Sequence, residues 1–173
     1  MERGQTIETE RLRLKPVSIS DADAILALYN TPKFLLYVGD RKIRSLTDAE
    51  KYITEKFAPQ RKNPGCGNYV VQLKEDGSKI GVVGIYAREG LDVSDIGFSF
   101  LPDSEGKGYG YEAASALMAK AFAEFGISKI AAITVKENEA SQKLITKLGL
   151  TFLKTIRLPG DDVDLLYYEK EKL

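Results

Sequence analysis

Apolar and polar residues alternate through Leu12-Arg13-Leu14-Lys15-Pro16-Val17, the period of a half-buried strand, and the proline closes it. Ser20-Asp21-Ala22-Asp23 then starts a short helix whose buried stripe is Ala24, Ile25 and Leu28. Thr47-Asp48-Ala49-Glu50 fits a capping box and predicts a second helix running to about Pro59, and Lys62-Asn63-Pro64-Gly65-Cys66-Gly67 reads as a loop. Three strand-like segments follow: Tyr69-Val70-Val71-Gln72-Leu73, Ile80 to Tyr86, and Ile96 to Leu101. The turn Glu75-Asp76-Gly77-Ser78 joins the first two as a hairpin. From Gly110 to Phe125 the apolar positions Ala113, Ala114, Leu117, Met118, Ala121, Phe122 and Phe125 recur at three-to-four spacing, the strongest helical signal in the chain, and Gly126 ends it.

Ile130-Ala131-Ala132-Ile133-Thr134-Val135 hardly alternates, which suits a strand covered on both faces. Asn138 caps a further helix carrying Ala140, Leu144, Ile145 and Leu148, with Gly149 as its stop. Two β segments, about 150–158 and 163–169, flank Pro159-Gly160-Asp161-Asp162. Antiparallel strands first and β-α-β-α-β afterwards predict a mixed α/β sheet. A chain of 173 residues without repeat, low-complexity tract or linker predicts one domain over 1–173.

Composition narrows the chemistry. Lys+Arg and Asp+Glu both number 25 and no long run of one sign occurs, so no nucleic-acid partner is expected. Met1-Glu2-Arg3-Gly4-Gln5 lacks the apolar stretch of a signal peptide, and nowhere do about 18 apolar residues run together. The expectation is a cytoplasmic protein with no membrane contact. The single Cys66 forms no internal bridge, and the absence of histidine removes the commonest general base and zinc ligand, so no metal is expected. Proton transfer falls to a carboxylate, Tyr, Cys, Lys or water.

Between the third strand and the strongest helix lies Phe100-Leu101-Pro102-Asp103-Ser104-Glu105-Gly106-Lys107-Gly108-Tyr109-Gly110. Three alternate glycines let the backbone approach a ligand closely, and a helix start offers unpaired N–H groups at a positive dipole end, a site that favours phosphate. Asp103, Glu105 and Lys107 leave a local charge of −1, so an anion there must be held mainly by backbone amides. The spacing matches neither the Walker nor the dinucleotide pattern. Taken alone, the turn serves equally well as an ordinary tight connection.

Ile96-Gly97-Phe98, Pro102 and Gly106-Lys107-Gly108-Tyr109-Gly110-x-Glu112-Ala113 resemble the acetyl-CoA motif of GNAT acetyltransferases. Asn138-Glu139-Ala140-Ser141 and Lys147-Leu148-Gly149-Leu150 are similar to that family's N-E-x-S and K-L-G-F pairing. Thr9-Glu10-Arg11-Leu12-Arg13-Leu14 is similar to the opening of its Rim-like branch, the ribosomal-protein N-terminal acetyltransferases. The resemblance implies a GNAT-like fold and transfer of an acetyl group from acetyl-CoA, as cosubstrate, to a primary amine. The acceptor is then a protein N-terminus or a small amine, attacking directly in a ternary complex; a homodimer is compatible with it. It further implies that the amides of Glu105, Gly106, Lys107, Gly108, Tyr109 and Gly110 hold the pyrophosphate. The edge from Phe98 to Phe100 pairs with the pantetheine arm where two strands splay. Asn138 bonds a pantetheine amide, Ser141 adds a hydrogen bond, and Lys136 or Lys143 meets the ribose phosphate. Asp95 stands where Rim-like relatives carry an acidic residue near the amine, which makes it the candidate catalytic base; otherwise it is a solvated turn carboxylate.

Two positions depart from the pattern. Glu105 replaces the usual Gln or Arg but leaves its amide available, and Ile145 stands where many relatives place a general-acid tyrosine, seven residues after Asn138. These departures keep a second reading open, a CoA-binding module without catalysis. Elsewhere the residues read simply. Cys66 has no histidine to activate it, one of Tyr167 and Tyr168 is expected in the core with the other exposed, and Arg41-Lys42-x-Arg44 reads as a solvated loop.

Overall fold

The computed structural model describes residues 5–173, so the stretch Met1 to Gly4 of the expected polar N-terminus lies outside the described residues. The strands are β1 (Ile7–Glu8), β2 (Leu12–Pro16), β3 (Gly67–Leu73), β4 (Lys79–Tyr86), β5 (Asp95–Phe100), β6 (Lys129–Thr134), β7 (Thr151–Ile156) and β8 (Leu165–Glu171). The helices are α1 (Ala22–Leu28), α2 (Pro32–Tyr37), α3 (Leu46–Tyr52), α4 (Tyr109–Glu124) and α5 (Glu139–Lys147). All eight strands form one sheet in the order β1-β2-β3-β4-β5-β6-β8-β7, and only β5 and β6 run parallel. This is the mixed sheet that the order of strand and helix patterns predicts.

Each face of the sheet has its own helical cover. The three-to-four stripe of α4, including Ala113, Leu117 and Ala121, packs on Leu14, Val71, Val83, Ile85 and Ile96. On the opposite face Ile25, Leu28, Phe34, Ala49 and Ile53 of the early helices cover Val17, Val70 and Val82. Successive residues of a strand point to opposite faces, so Val70 and Val71 belong to different cores. No helix among the described residues is long and apolar enough to cross a membrane.

Several boundaries differ from expectation for local reasons. The cap of α3 is Ser45, whose hydroxyl accepts the amide of Asp48 at 3.1 Å, two residues before the predicted Thr47. Beyond α3 the chain keeps turning, through a π-helical segment at Ile53–Phe57 and a 3₁₀ segment at Ala58–Lys62. Helix α2 has no counterpart in the sequence reading. It is one and a half turns long, too short to show periodicity, although Thr31 at its cap and Pro32 in its first turn mark its start. Tyr167 and Tyr168 are both buried, correcting the expectation of one exposed ring: Tyr168 packs in the α4 core beside Phe152, while on the other face Tyr167 donates its hydroxyl to Glu169 at 2.6 Å and lies under Lys154.

The feature that positions the site is the short contact of β5 with β6. They pair only at Asp95 and Ala131, where the Ala131 N–H donates to the Ser94 carbonyl at 2.9 Å, and then diverge. The Leu101 N–H bonds the Ile80 carbonyl of the β4 side at 2.9 Å, so alternation along β5 turns the backbone groups of Ser94, Ile96, Phe98 and Phe100 the other way, toward β6. Past the divergence, Phe98 and Phe100 have no strand partner on that side among the described residues.

Leu117 is wholly buried in the α4 interface. Leu117→Ala is expected to cost about 2–5 kcal/mol, read as a lower urea midpoint at unchanged slope.

Candidate active site

The glycine-rich turn begins with a 3₁₀ segment, Pro102–Ser104, and ends at Gly108, which caps α4 in the left-handed conformation at φ +83°. The first bond of the helix runs from the Glu112 N–H to the Gly108 carbonyl at 3.1 Å. The N–H groups of Gly106 through Gly110 therefore have no acceptor among the described residues. Glu105 differs from the expectation that its amide is available: its N–H donates to the Pro102 carbonyl at 3.2 Å. Its carboxylate instead meets Lys33 of α2 at 2.5 Å, so a cation from another element neutralises the acidic side chain that precedes the free amides.

The opening Thr-Glu-Arg-Leu segment holds this turn in place. Glu112, in the first turn of α4, accepts the Thr9 hydroxyl at 2.5 Å, the Arg11 amide at 2.9 Å and the Arg11 Nε at 2.7 Å. Arg11 also donates from Nη1 to the Lys107 carbonyl at 3.0 Å and stacks over the Tyr109 ring. Two motifs a hundred residues apart in the chain thus form one network. Partial burial alone would raise the Glu112 pKa, but the bonds from Thr9 and Arg11 outweigh it and hold the carboxyl below its usual range.

The turn forms one end of a cleft of about 400 Å³. Phe98, Phe100, Glu105, Gly106, Gly108, Tyr109, Gly110, Asn138 and Ser141, all singled out in the sequence, line it. Of the two lysines considered for a ribose phosphate, Lys143 lines the cleft and Lys136 does not. Lys107 does not line it; its carbonyl serves Arg11. Gly110 is needed for closeness, because a Cβ there would stand 3.1 Å from Leu144 and 3.6 Å from Phe100. Asn138 caps α5 with its Oδ1, which accepts the Ser141 N–H at 3.2 Å, and this leaves the Nδ2 group to donate elsewhere.

Asp95 sits in a second cleft, of about 580 Å³, which shares Phe98, Ser99, Asn138 and Ser141 with the first and so opens into it at the splay. The solvated-turn reading of Asp95 is overturned: it is 1% exposed and bonds the Arg88 Nε at 2.7 Å. Burial raises its pKa, with Arg88 opposing that shift. Ile145, in place of the family tyrosine, is buried in the α4 core while reaching the cleft edge. Sequence reasoning missed Arg88 and the aromatic wall of Tyr29, Phe34, Tyr52 and Phe57, whose rings stack or meet edge to face. The hairpin of β4 and β5 held the signal for Arg88, since pairing Tyr86 with Asp95 places it alongside.

Free amides at a helix start, a splayed strand edge and two joined clefts fit an extended ligand that carries phosphate at one end. The chain belongs to the GNAT acetyltransferase family: the family model described as "Acetyltransferase (GNAT) domain" matches residues 11–151. It is 27% identical over 144 residues to the uncharacterized N-acetyltransferase YoaA of Bacillus subtilis (strain 168), covering 83% of this chain and 81% of that protein. An acetyltransferase from Agrobacterium tumefaciens str. C58 superposes with a TM-score of 0.81 at 25% identity, over 99% and 97% of the two chains. The fold is also that of RimL, a ribosomal L7/L12 alpha-N-protein acetyltransferase solved with coenzyme A, at a TM-score of 0.75 and 16% identity over 96% and 98% of the chains. The protein is thus an acetyl-CoA-dependent N-acetyltransferase, acting on an amine.

The depressed Glu112 pKa stabilises the fold above the ordinary glutamate pKa of about 4.3, and that contribution is lost as pH falls through the lower folded value. Glu112→Gln is expected to lose about 1 kcal/mol at pH 7, with the gap from wild type closing by pH 3, measured by urea titration across that range.

Proposed function

We propose that the amides of Gly106 to Gly110 hold the diphosphate of acetyl-CoA, and that the whole chain works as one cytoplasmic GNAT domain. The observation that carries this is the run of amides without acceptors, facing the same cleft as the open edge of β5. In this reading the backbone groups of Phe98 and Phe100 pair with the pantetheine arm. Asn138 donates from Nδ2 to a pantetheine carbonyl, and the Ser141 hydroxyl adds a second contact. Glu105 contributes its ion pair with Lys33 rather than its amide. Lys143 stands near enough to the cleft to meet a terminal phosphate.

Acetyl-CoA supplies the thioester as substrate. The acceptor nitrogen forms a bond to the acetyl carbon, the carbon–sulfur bond breaks, the thiolate leaves and the nitrogen loses a proton. A backbone amide of β5 stabilises the oxyanion. Deprotonating a lysine of pKa about 10.4 at pH 7 costs about 4.6 kcal/mol, against about 1.4 kcal/mol for an α-amine near 8, so an α-amine is the acceptor this site serves best. We place Asp95 as the group that receives that proton: it is a buried carboxylate lining the acceptor cleft, and burial raises its pKa, strengthening it as a base, while Arg88 opposes that rise.

Gly108→Val would put a β-branched side chain at φ +83° with its Cβ 3.3 Å from Arg11. It is expected to weaken CoA binding at least tenfold by calorimetry while circular dichroism stays native, and undiminished affinity would contradict the diphosphate assignment. Asp95→Asn is expected to lower kcat by about 10²-fold and to remove the acidic limb of the pH–rate profile. An unchanged rate and profile would eliminate Asp95 as the base.

A further inference from the structure

The acceptor cleft has a charge pattern of its own. Arg41, Lys56 and Arg88 line it, against the carboxylates Asp95 and Asp161. Asp95 is committed to the Arg88 Nε, and Asp161 at the rim accepts the Val163 N–H at 3.1 Å. Neither Arg41 nor Lys56 has a carboxylate within 4 Å among the described residues. The two Nη groups of Arg88 likewise have no acceptor among the described residues, since its bond to Asp95 is made by Nε.

Arg41 and Arg88 line the same cleft. Arg88 lies 5.0 Å over the Tyr86 ring, and that ring is laid flat on the sheet because the positions beneath it are glycines. A Cβ on Gly84 would stand 2.7 Å from the Tyr86 hydroxyl, and one on Gly97 would stand 2.9 Å from the ring. Tyr29, stacked on Phe34 with centroids 4.1 Å apart, supplies a second hydroxyl on the opposite wall. Burial raises the Tyr29 pKa, and the charges of Arg41 and Arg88 both oppose that rise. On the same face of the sheet, the carboxamide of Asn68, paired with Gly84 across the β3–β4 ladder, is 3% exposed with neither atom bonded. Arg41 and Lys56 are thus cleft-lining cations without a carboxylate partner among the described residues. For a polyamine or aminoglycoside the cleft offers Asp161 as its one carboxylate without a cation among the described residues, against the three cations Arg41, Lys56 and Arg88.

We propose that the acceptor is a small amine carrying its own anionic group, a carboxylate or a phosphate, held by Arg41 and the Nη groups of Arg88 while its nitrogen reaches the splay. The anion-binding groups are charged or hydroxylic donors on an apolar aromatic wall, a setting in which charge-assisted bonds to planar guanidinium are strong and geometrically selective. The inference rests on the acetyl-CoA reading above and narrows its acceptor.

Matched pairs test it: α-amino acids against their carboxamides, and aminoalkyl phosphates against the parent amino alcohols, with spermidine and a short acidic peptide alongside. Acetylation is followed by release of free CoA. The anionic member of a pair is expected to show a KM at least tenfold lower at similar kcat, and the preference should shrink as NaCl is raised. Arg41→Gln should abolish most of the preference while leaving CoA affinity unchanged. Whichever pair shows the larger effect identifies carboxylate or phosphate as the anion. Equal use of the neutral members, a preference for spermidine, acetylation of the peptide alone, no turnover of any pair, or an undiminished preference in Arg41→Gln would each overturn the proposal. Calorimetry with CoA separates the two levels. Failure to bind CoA sinks both readings, whereas normal CoA binding without an anion preference sinks this one only.

Discussion

The constraint on which the site depends is that β5 and β6 share a single residue pair before parting. A sheet normally leaves no unpaired backbone inside it, because each buried amide without a partner costs on the order of 1–3 kcal/mol. Here the exception is placed where two clefts meet, and the unpaired edge at Phe98 and Phe100 faces the first of them. The side chains at these positions point to the other face and pack against α4, so the strand is anchored by its side chains while its backbone stays open. Gly110 completes the arrangement by letting α4 approach Phe100 and Leu144 closely.

The start of α4 poses a second problem, since free amides attract anions and the local sequence is acidic. The structure resolves it with partners from elsewhere. Lys33 takes the Glu105 carboxylate, and Arg11 with Thr9 takes Glu112. The exposed Lys33–Glu105 pair adds little to stability, as exposed pairs do, but it keeps negative charge off the amide run. Arg11 matters more for geometry, because it ties the Lys107 carbonyl and the Tyr109 ring to the first long strand. The N-terminal motif and the glycine turn are therefore two halves of one device.

What the sequence could and could not reveal follows from how local each signal is. Helix α4, the hairpin of β3 and β4, and the cap at Asn138 are specified by residues within one or two turns, and all were readable. The splay itself was available only through family resemblance, since no residue pattern in β5 or β6 announces it. Helix α2 is too short for periodicity. Asp95 was readable as a candidate but not as a buried ion pair, because its partner Arg88 and its cover come from separate elements. The aromatic wall assembles from α1, α2, α3 and the turns after them, where rings far apart in the chain meet only in three dimensions.

Ile145 bears on how the reaction ends. A tyrosine there would protonate the departing sulfur, but this chain has an isoleucine that is 1% exposed and committed to the core. Thiols ionise near pH 8.5, so a thiolate is already an adequate leaving group close to neutral pH. The harder proton to handle is the one on the nucleophile, and the polar resources of the acceptor cleft, Asp95 and Arg88 among them, lie on that side of the splay. Under the proposed reading, the rate then depends chiefly on presenting a neutral amine at the right distance, for which orientation alone can supply several kcal/mol. An acceptor tethered by its own anion to Arg41 and Arg88 is oriented in this sense, which is why the cations of the cleft and the missing tyrosine belong to the same account.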